Sequence, residues 1–102
     1  MRNVYENVPS NQIEKQKKYF YGAILDVLYK SEEGYPFLDN RLQNLINQVK
    51  GSNELFNYQP QVLTIVSLLQ TAKEDRTQLR NCIFSAINLV DQLEGGDSNV
   101  EV

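Results

Sequence analysis

The fold is decided by the stretch from residue 58 to residue 94, which reads YQPQVLTIVSLLQTAKEDRTQLRNCIFSAINLVDQLE. Its apolar side chains recur at intervals of three and four, as in Val62, Ile65 and Leu69 before a polar middle and in Ile83, Ala86 and Val90 after it. Such intervals place side chains on one face of an α-helix. No glycine or proline interrupts residues 61–94. The pattern therefore predicts helix on both sides of the polar middle.

The two halves of this stretch also share one heptad register. The positions that keep the seven-residue interval are Val62, Leu69, Arg76, Ile83 and Val90, together with Ile65, Ala72, Leu79, Ala86 and Leu93. A single helix of about 36 residues, roughly 54 Å long, would keep this seam continuous and favour a coiled-coil dimer. A hairpin turning within residues 73–78 would instead use Asp75 and Gln78 as a capping box. The shared register favours continuity, but the charged middle with Arg76 on the seam favours the turn, which we expect.

Two further helices precede this region. We expect a flexible arm over residues 1–9, and then a helix from Ser10 or Asn11 that ends around residues 31–34. The second helix carries Leu38, Leu42, Leu45 and Val49 on one face, with Gly51 as its C-terminal cap. The link over residues 52–57 should fold its apolar side chains back onto the core. Pro60 suits the first turn of the third helix.

The sequence thus predicts an all-α protein, a small antiparallel four-helix bundle, with residues 10–94 as its single domain and residues 95–102 as a flexible acidic tail. The fourth helix would run from about residue 75 to residue 94. The alternative is a dimer in which two short helices pack on one long C-terminal helix.

Composition indicates the compartment of the protein and limits the kinds of partner that it can bind. The 102 residues carry 10 basic and 13 acidic side chains, for a net charge of −3, which argues against binding to a phosphate backbone. No apolar run reaches the roughly 18 residues of a membrane span, and the polar first residues lack a signal-peptide pattern. With one cysteine the chain fits a reducing compartment. We therefore expect a soluble, cytoplasmic protein.

The residues that most often carry catalysis are scarce. Histidine is absent, which removes the commonest general base at neutral pH and the commonest zinc ligand. Cys82 neighbours the apolar seam, so we interpret it as a buried core side chain and not as a nucleophile. We predict no catalytic residues, no metal site and no cofactor, and hence a protein that is not an enzyme.

The candidate interaction residues lie first of all in the predicted first helix. Lys15, Lys17 and Lys18 form a basic cluster next to Tyr19 and Tyr21. Lysines with adjacent aromatics can bind nucleic acid or anionic lipid, although the solvated face of an amphipathic helix gives the same pattern. Tyrosines are also enriched at protein interfaces.

Residues 36–69 resemble part of the bacteriocin immunity proteins of the enterocin A immunity type. The matching features are Pro36, Arg41-Leu42 at a helix start, Tyr58-Gln59 before the next helix, and Leu63 with Leu68-Leu69. The resemblance implies a cytosolic antiparallel four-helix bundle of a lactic-acid bacterium or streptococcus that recognises a bacteriocin-occupied membrane receptor complex. It also implies that Tyr58 and Gln59 lie at a helix junction, and both join the candidate interaction residues.

The leading functional hypothesis is therefore a non-enzymatic protein-interaction module with an unidentified protein partner, in particular a bacteriocin immunity protein. The alternative is a homodimeric helical regulator or adaptor assembled through the heptad seam of residues 62–93.

Overall fold

The described residues form four α-helices, as the sequence pattern predicts. The computed structural model describes the backbone of residues 3–93 and the side chains of residues 12–93. Helix α1 spans Asn3–Glu33, α2 spans Leu38–Gly51, α3 spans Pro60–Glu74 and α4 spans Leu79–Gln92, with a short 3₁₀ turn at Arg76–Gln78. Each helix packs against the next and α4 packs back on α1, which closes an antiparallel four-helix bundle. The all-α prediction is confirmed.

Helix α1 begins well before its predicted start. It includes residues 3–9, so the predicted start at Ser10 or Asn11 is wrong and lies inside the helix, while the flexibility of the arm stays a prediction. Pro9 was the reason for the predicted boundary. Proline removes one backbone hydrogen bond and disfavours the helical conformation of the residue before it, which makes a helix boundary common there without excluding a helix that continues through it. Residues 1 and 2 and the predicted acidic tail, residues 95–102, lie outside the described part of the chain.

The polar middle of the deciding stretch is a turn. Asp75 leaves the helical region with φ −137° and ψ 100°. Its carboxylate accepts hydrogen bonds from the Thr77 backbone N–H at 3.0 Å and from the Thr77 hydroxyl at 2.6 Å. The Gln78 N–H donates to the Asp75 carbonyl at 3.0 Å. This local network replaces the helical ladder, so the hairpin is confirmed and the single long helix is wrong.

The apolar residues of the heptad seam are buried inside the bundle. All of its apolar positions are at most 3% exposed, whereas Arg76 is exposed at the turn and forms an ion pair with Asp39 at the start of α2. The shared register therefore reflects two separate apolar stripes that face one core. Because the described bundle already covers this seam, it leaves no apolar stripe there for the predicted dimer.

The core is a single cluster of aliphatic and aromatic side chains. The link between α2 and α3 contributes Phe56, which is fully buried with its ring centroid 6.5 Å from that of Phe20. Leu55 packs against the same cluster, so the prediction that the link folds back onto the core is confirmed. The largest fully buried side chains are Phe20, Phe56, Ile24, Leu42, Ile46, Ile65, Leu69, Ile83 and Leu93.

Candidate interaction groove

A groove runs between α1 and α2. Tyr19 and Ala23, four residues apart on one flank of α1, form one wall, and Arg41, Leu45 and Gln48 on α2 belong to the other. Residues four apart on a helix lie nearly above one another, which makes each wall continuous. The cavity has a volume of about 410 Å³.

The groove continues toward the link between α2 and α3. A second cavity of about 540 Å³ shares Tyr19 and Gln48 with the first and extends past Gly51 to Leu55. Helix α2, which runs along both cavities, has 14 residues and is therefore about 21 Å long. We call the two cavities together the α1/α2 groove.

Exposed aromatic rings line the groove. Phe37 is 59% exposed and Tyr19 is 51% exposed, although both offer large apolar faces. Tyr35 lies partly buried beside Phe37 in an edge-on arrangement, with ring centroids 5.9 Å apart. Aromatic side chains left open to solvent in a concave surface are typical of binding sites.

The charged groups of the groove gather at the end near Tyr35. The Arg41 guanidinium lies 5.7 Å and the Lys30 ammonium 5.6 Å from the centre of the Tyr35 ring. The Asp26 carboxylate lies 3.3 Å from Arg41 and is about as exposed as that residue. Among the described side chains that line the groove, Arg41 is the single charged one. This end therefore carries two cations against one carboxylate.

Amide side chains form the rim of α2. Asn40, Asn44 and Gln48 recur every four residues along the groove and, within the described part of the chain, form no side-chain hydrogen bond. On the opposite flank of α2, by contrast, the Gln43 amide donates to Asn47 and its oxygen accepts from Lys73. The groove side thus presents free neutral donors and acceptors.

The predicted cluster of lysines and tyrosines does not form one surface, because its side chains point in different directions around α1. Tyr19 and Tyr21 are two residues apart, which is about 200° around the axis. Tyr19 lines the groove, whereas Tyr21 is exposed outside it. Lys17 points to α4, where its ammonium donates to the Asp91 carbonyl at 3.2 Å. Lys15 and Lys18 are exposed and line neither cavity.

Tyr58 and Gln59 lie at the junction before α3, as the resemblance implies, but outside the groove lining. Asn57 and Tyr58 both have positive φ, 57° and 56°. This conformation is costly for a bulky residue such as tyrosine. The Tyr58 side chain is 65% exposed, and the Gln59 amide donates to the Phe56 carbonyl at 2.8 Å. The link thus holds an exposed tyrosine in a strained backbone.

Several groove residues were missed from the sequence. Phe37, Arg41 and the amide row were not among the predicted interaction residues. A signal existed for the amides, because Asn40, Asn44 and Gln48 share one helical flank. Phe37 gave no such signal, since an apolar residue directly before a helix usually packs into the core.

Cys82 has the buried place expected for it. Burial raises the pKa of its thiol, and the nearby Asp75 carboxylate raises it further, so the reactive thiolate is disfavoured. Among the described residues, no group of three or more cysteine, aspartate or glutamate side chains could hold a metal ion. Within residues 3–93 no helix combines the length and the apolar character that crossing a membrane requires.

Comparisons with known proteins give no relative: no family model, no curated protein and no solved structure matches the chain. The description of the groove therefore stands on the residues of this chain alone.

Proposed function

We propose that this protein is a non-enzymatic interaction module that binds a segment of a protein partner in the α1/α2 groove. The observation that carries the proposal is a continuous groove along the whole of α2 in which Tyr19 and Phe37 are more than half exposed. Aromatic side chains in such positions supply much of the affinity of protein interfaces. An elongated groove between two helices suits a peptide segment better than a compact metabolite.

In its specific form, the proposed function is that of a bacteriocin immunity protein acting in the bacterial cytoplasm. Two features support it: the antiparallel four-helix bundle, and the resemblance over residues 36–69. That range includes α2, which forms one wall of the groove, and the link that carries Tyr58 and Gln59. The partner would then be a membrane receptor complex that holds the bacteriocin.

A protection assay tests the immunity function. The chain is expressed in a bacteriocin-sensitive strain, which is then exposed to a panel of bacteriocins. We expect protection against at least one of them by the wild type and loss of protection in the double variant Tyr19→Ala/Phe37→Ala. The matched control is Tyr29→Ala/Phe84→Ala, which removes two exposed rings that line neither cavity. Absence of protection by the wild type across the panel would contradict the immunity function.

Photo-crosslinking tests the interaction module separately. A photoreactive phenylalanine analogue replaces Tyr19 in one variant and Tyr29 in another. Each variant is irradiated in cells of the organism from which the gene comes. We expect a discrete protein adduct from position 19 and a much weaker one from position 29. Equal adducts from both positions, or none from position 19, would count against the groove as the binding surface.

A further inference from the structure

If the α1/α2 groove binds a partner segment, as proposed above, its charges indicate the chemical character of that segment. Arg41 and Lys30 both lie against the Tyr35 ring, at 5.7 and 5.6 Å. Asp26 forms an ion pair with Arg41 at 3.3 Å. Among the described ion pairs, one carboxylate offsets one of these two cations, which leaves the charge of Lys30 without a partner of opposite sign. An additional anion at this end would therefore be favourable.

The Arg41 guanidinium has the donors to hold such an anion. It carries five N–H groups, and none of them forms a hydrogen bond to another described residue. Arginine binds carboxylates through two parallel hydrogen bonds when both of its edges are accessible. The side chain is 42% exposed, so a partner can reach it from solvent.

The apolar part of the groove lies beside this charged end. Phe37 follows Tyr35 closely in the chain, and Tyr19 on the α1 wall faces the same groove as Leu45 on the α2 wall. These residues would cover an apolar side chain, while the amides of Asn44 and Gln48 would meet polar groups of a backbone or side chain.

We propose that the groove binds an acidic amphipathic segment of the partner, which places a carboxylate at Arg41 and an apolar side chain against Tyr19 and Phe37. The charge at the end near Tyr35 is the argument for an acidic segment. The length of α2, about 21 Å, corresponds to a segment of roughly four helical turns.

Selection from a peptide library tests this proposal. A displayed library of random 16-residue peptides is panned against the full chain, with the Tyr19→Ala/Phe37→Ala variant as the counter-target. We expect enriched peptides in which aspartate or glutamate recurs within one helical turn of an aliphatic or aromatic residue. Selected peptides should bind the Arg41→Gln variant roughly tenfold more weakly. The control variant Lys15→Gln, on the exposed side of α1 away from the groove, should bind them as the wild type does.

A double-mutant cycle then separates a direct contact from a structural effect of Arg41. Replacing the conserved acid of a selected peptide by its amide should weaken binding to the wild type about tenfold and leave binding to Arg41→Gln nearly unchanged. Equal losses on both proteins would overturn the proposed contact. Groove-dependent peptides without an acid would overturn it too, while leaving the interaction module intact.

Two further outcomes would remove both proposals. One is that no peptide depends on Tyr19 and Phe37. The other is that phosphatidylglycerol vesicles, but no peptides, bind the wild type and fail to bind Arg41→Gln, which would assign Arg41 to a lipid headgroup. A doubled mass of the free protein that Phe37→Ala abolishes would show that a second copy occupies the groove, and would overturn the acidic-segment proposal.

Discussion

The two sides of the bundle are built differently. Helices α3 and α4 make the most extensive contact of the four neighbouring pairs, and α1 and α2 the least extensive. On α3 and α4 the buried side chains include Ala72, Cys82 and Ala86, whose small size lets helices approach closely. On the facing flanks of α1 and α2, large or polar residues such as Tyr19 and Gln48 keep a groove open. The α3/α4 side is therefore the more extensively packed one, and the α1/α2 side keeps an open groove.

The largest expected effect on stability comes from truncating one leucine on the α3/α4 side of the bundle and one on the α1/α2 side. Leu69→Ala should lower the free energy of unfolding by about 4 kcal/mol, because Leu69 is fully buried and its loss leaves a closed cavity. Leu45→Ala should cost about 2 kcal/mol, because Leu45 also borders the groove and water can enter the space it leaves. Urea unfolding with unchanged m-values measures both. Equal losses would show that the two sides are packed equally well.

The turn that separates α3 from α4 should matter next. Asp75→Ala removes the acceptor for the Thr77 N–H and hydroxyl, and we expect a loss of about 1–2 kcal/mol in the free energy of unfolding. The control is Thr64→Ala, whose hydroxyl bonds only the exposed Pro60 carbonyl and should change stability by no more than about 0.5 kcal/mol. A doubled mass of Asp75→Ala in light scattering would indicate that the turn had become a continuous, dimerising helix.

Glycine distribution gives a third test. Residues 52–93 contain no glycine, whereas α1 has Gly22 in its interior and Gly34 just after its end. A methyl group at Gly22 would meet no atom within 4 Å, so Gly22→Ala should raise stability by about 1 kcal/mol. Gly34 has φ +75°, and Gly34→Ala should lower stability by about 1 kcal/mol. Thermal unfolding of both variants checks the signs. A loss of stability in Gly22→Ala would contradict the open surface described there.

The sequence predicted the helices and the core better than the groove. Apolar spacing identified the buried stripe that includes Ile65 and Ile83, because burial on one face of a helix requires that periodicity. It favoured the hairpin because of the charged middle, but it did not predict the hydrogen bonds between Asp75 and Thr77, which a heptad register does not encode. It grouped Lys17 with Tyr19, although the helix directs them to α4 and α2 respectively. A groove is a relation between two helices, and no single stretch of sequence carries it.

A smaller effect concerns thiol chemistry on the α3/α4 side. Because burial, and secondarily Asp75, raises the pKa of Cys82, the folded protein keeps this proton when the unfolded chain has lost it. Cys82 should thus contribute stability that is complete below the ordinary thiol pKa and declines as pH rises above it. Asp75→Asn should make this decline shallower and speed modification by a thiol reagent, without reaching the rate of the unfolded chain. An unchanged rate in Asp75→Asn would show that burial alone protects the thiol.

The smallest effect on stability should come from the aromatic ring that the groove exposes most. Phe37→Ala should change the free energy of unfolding by about 0.5 kcal/mol or less, because the ring is 59% exposed. The aromatic contact that it makes is the edge contact with Tyr35. The matched core variant Phe56→Ala should cost about 3–5 kcal/mol, because that ring is fully buried. Urea unfolding of the two variants measures this difference.

If Phe37→Ala proved as costly as Phe56→Ala, the exposed ring would belong to the core and the groove would lose one of its two aromatic anchors. A near-neutral Phe37→Ala that still abolished crosslinking from position 19 would show that the ring serves binding and not folding.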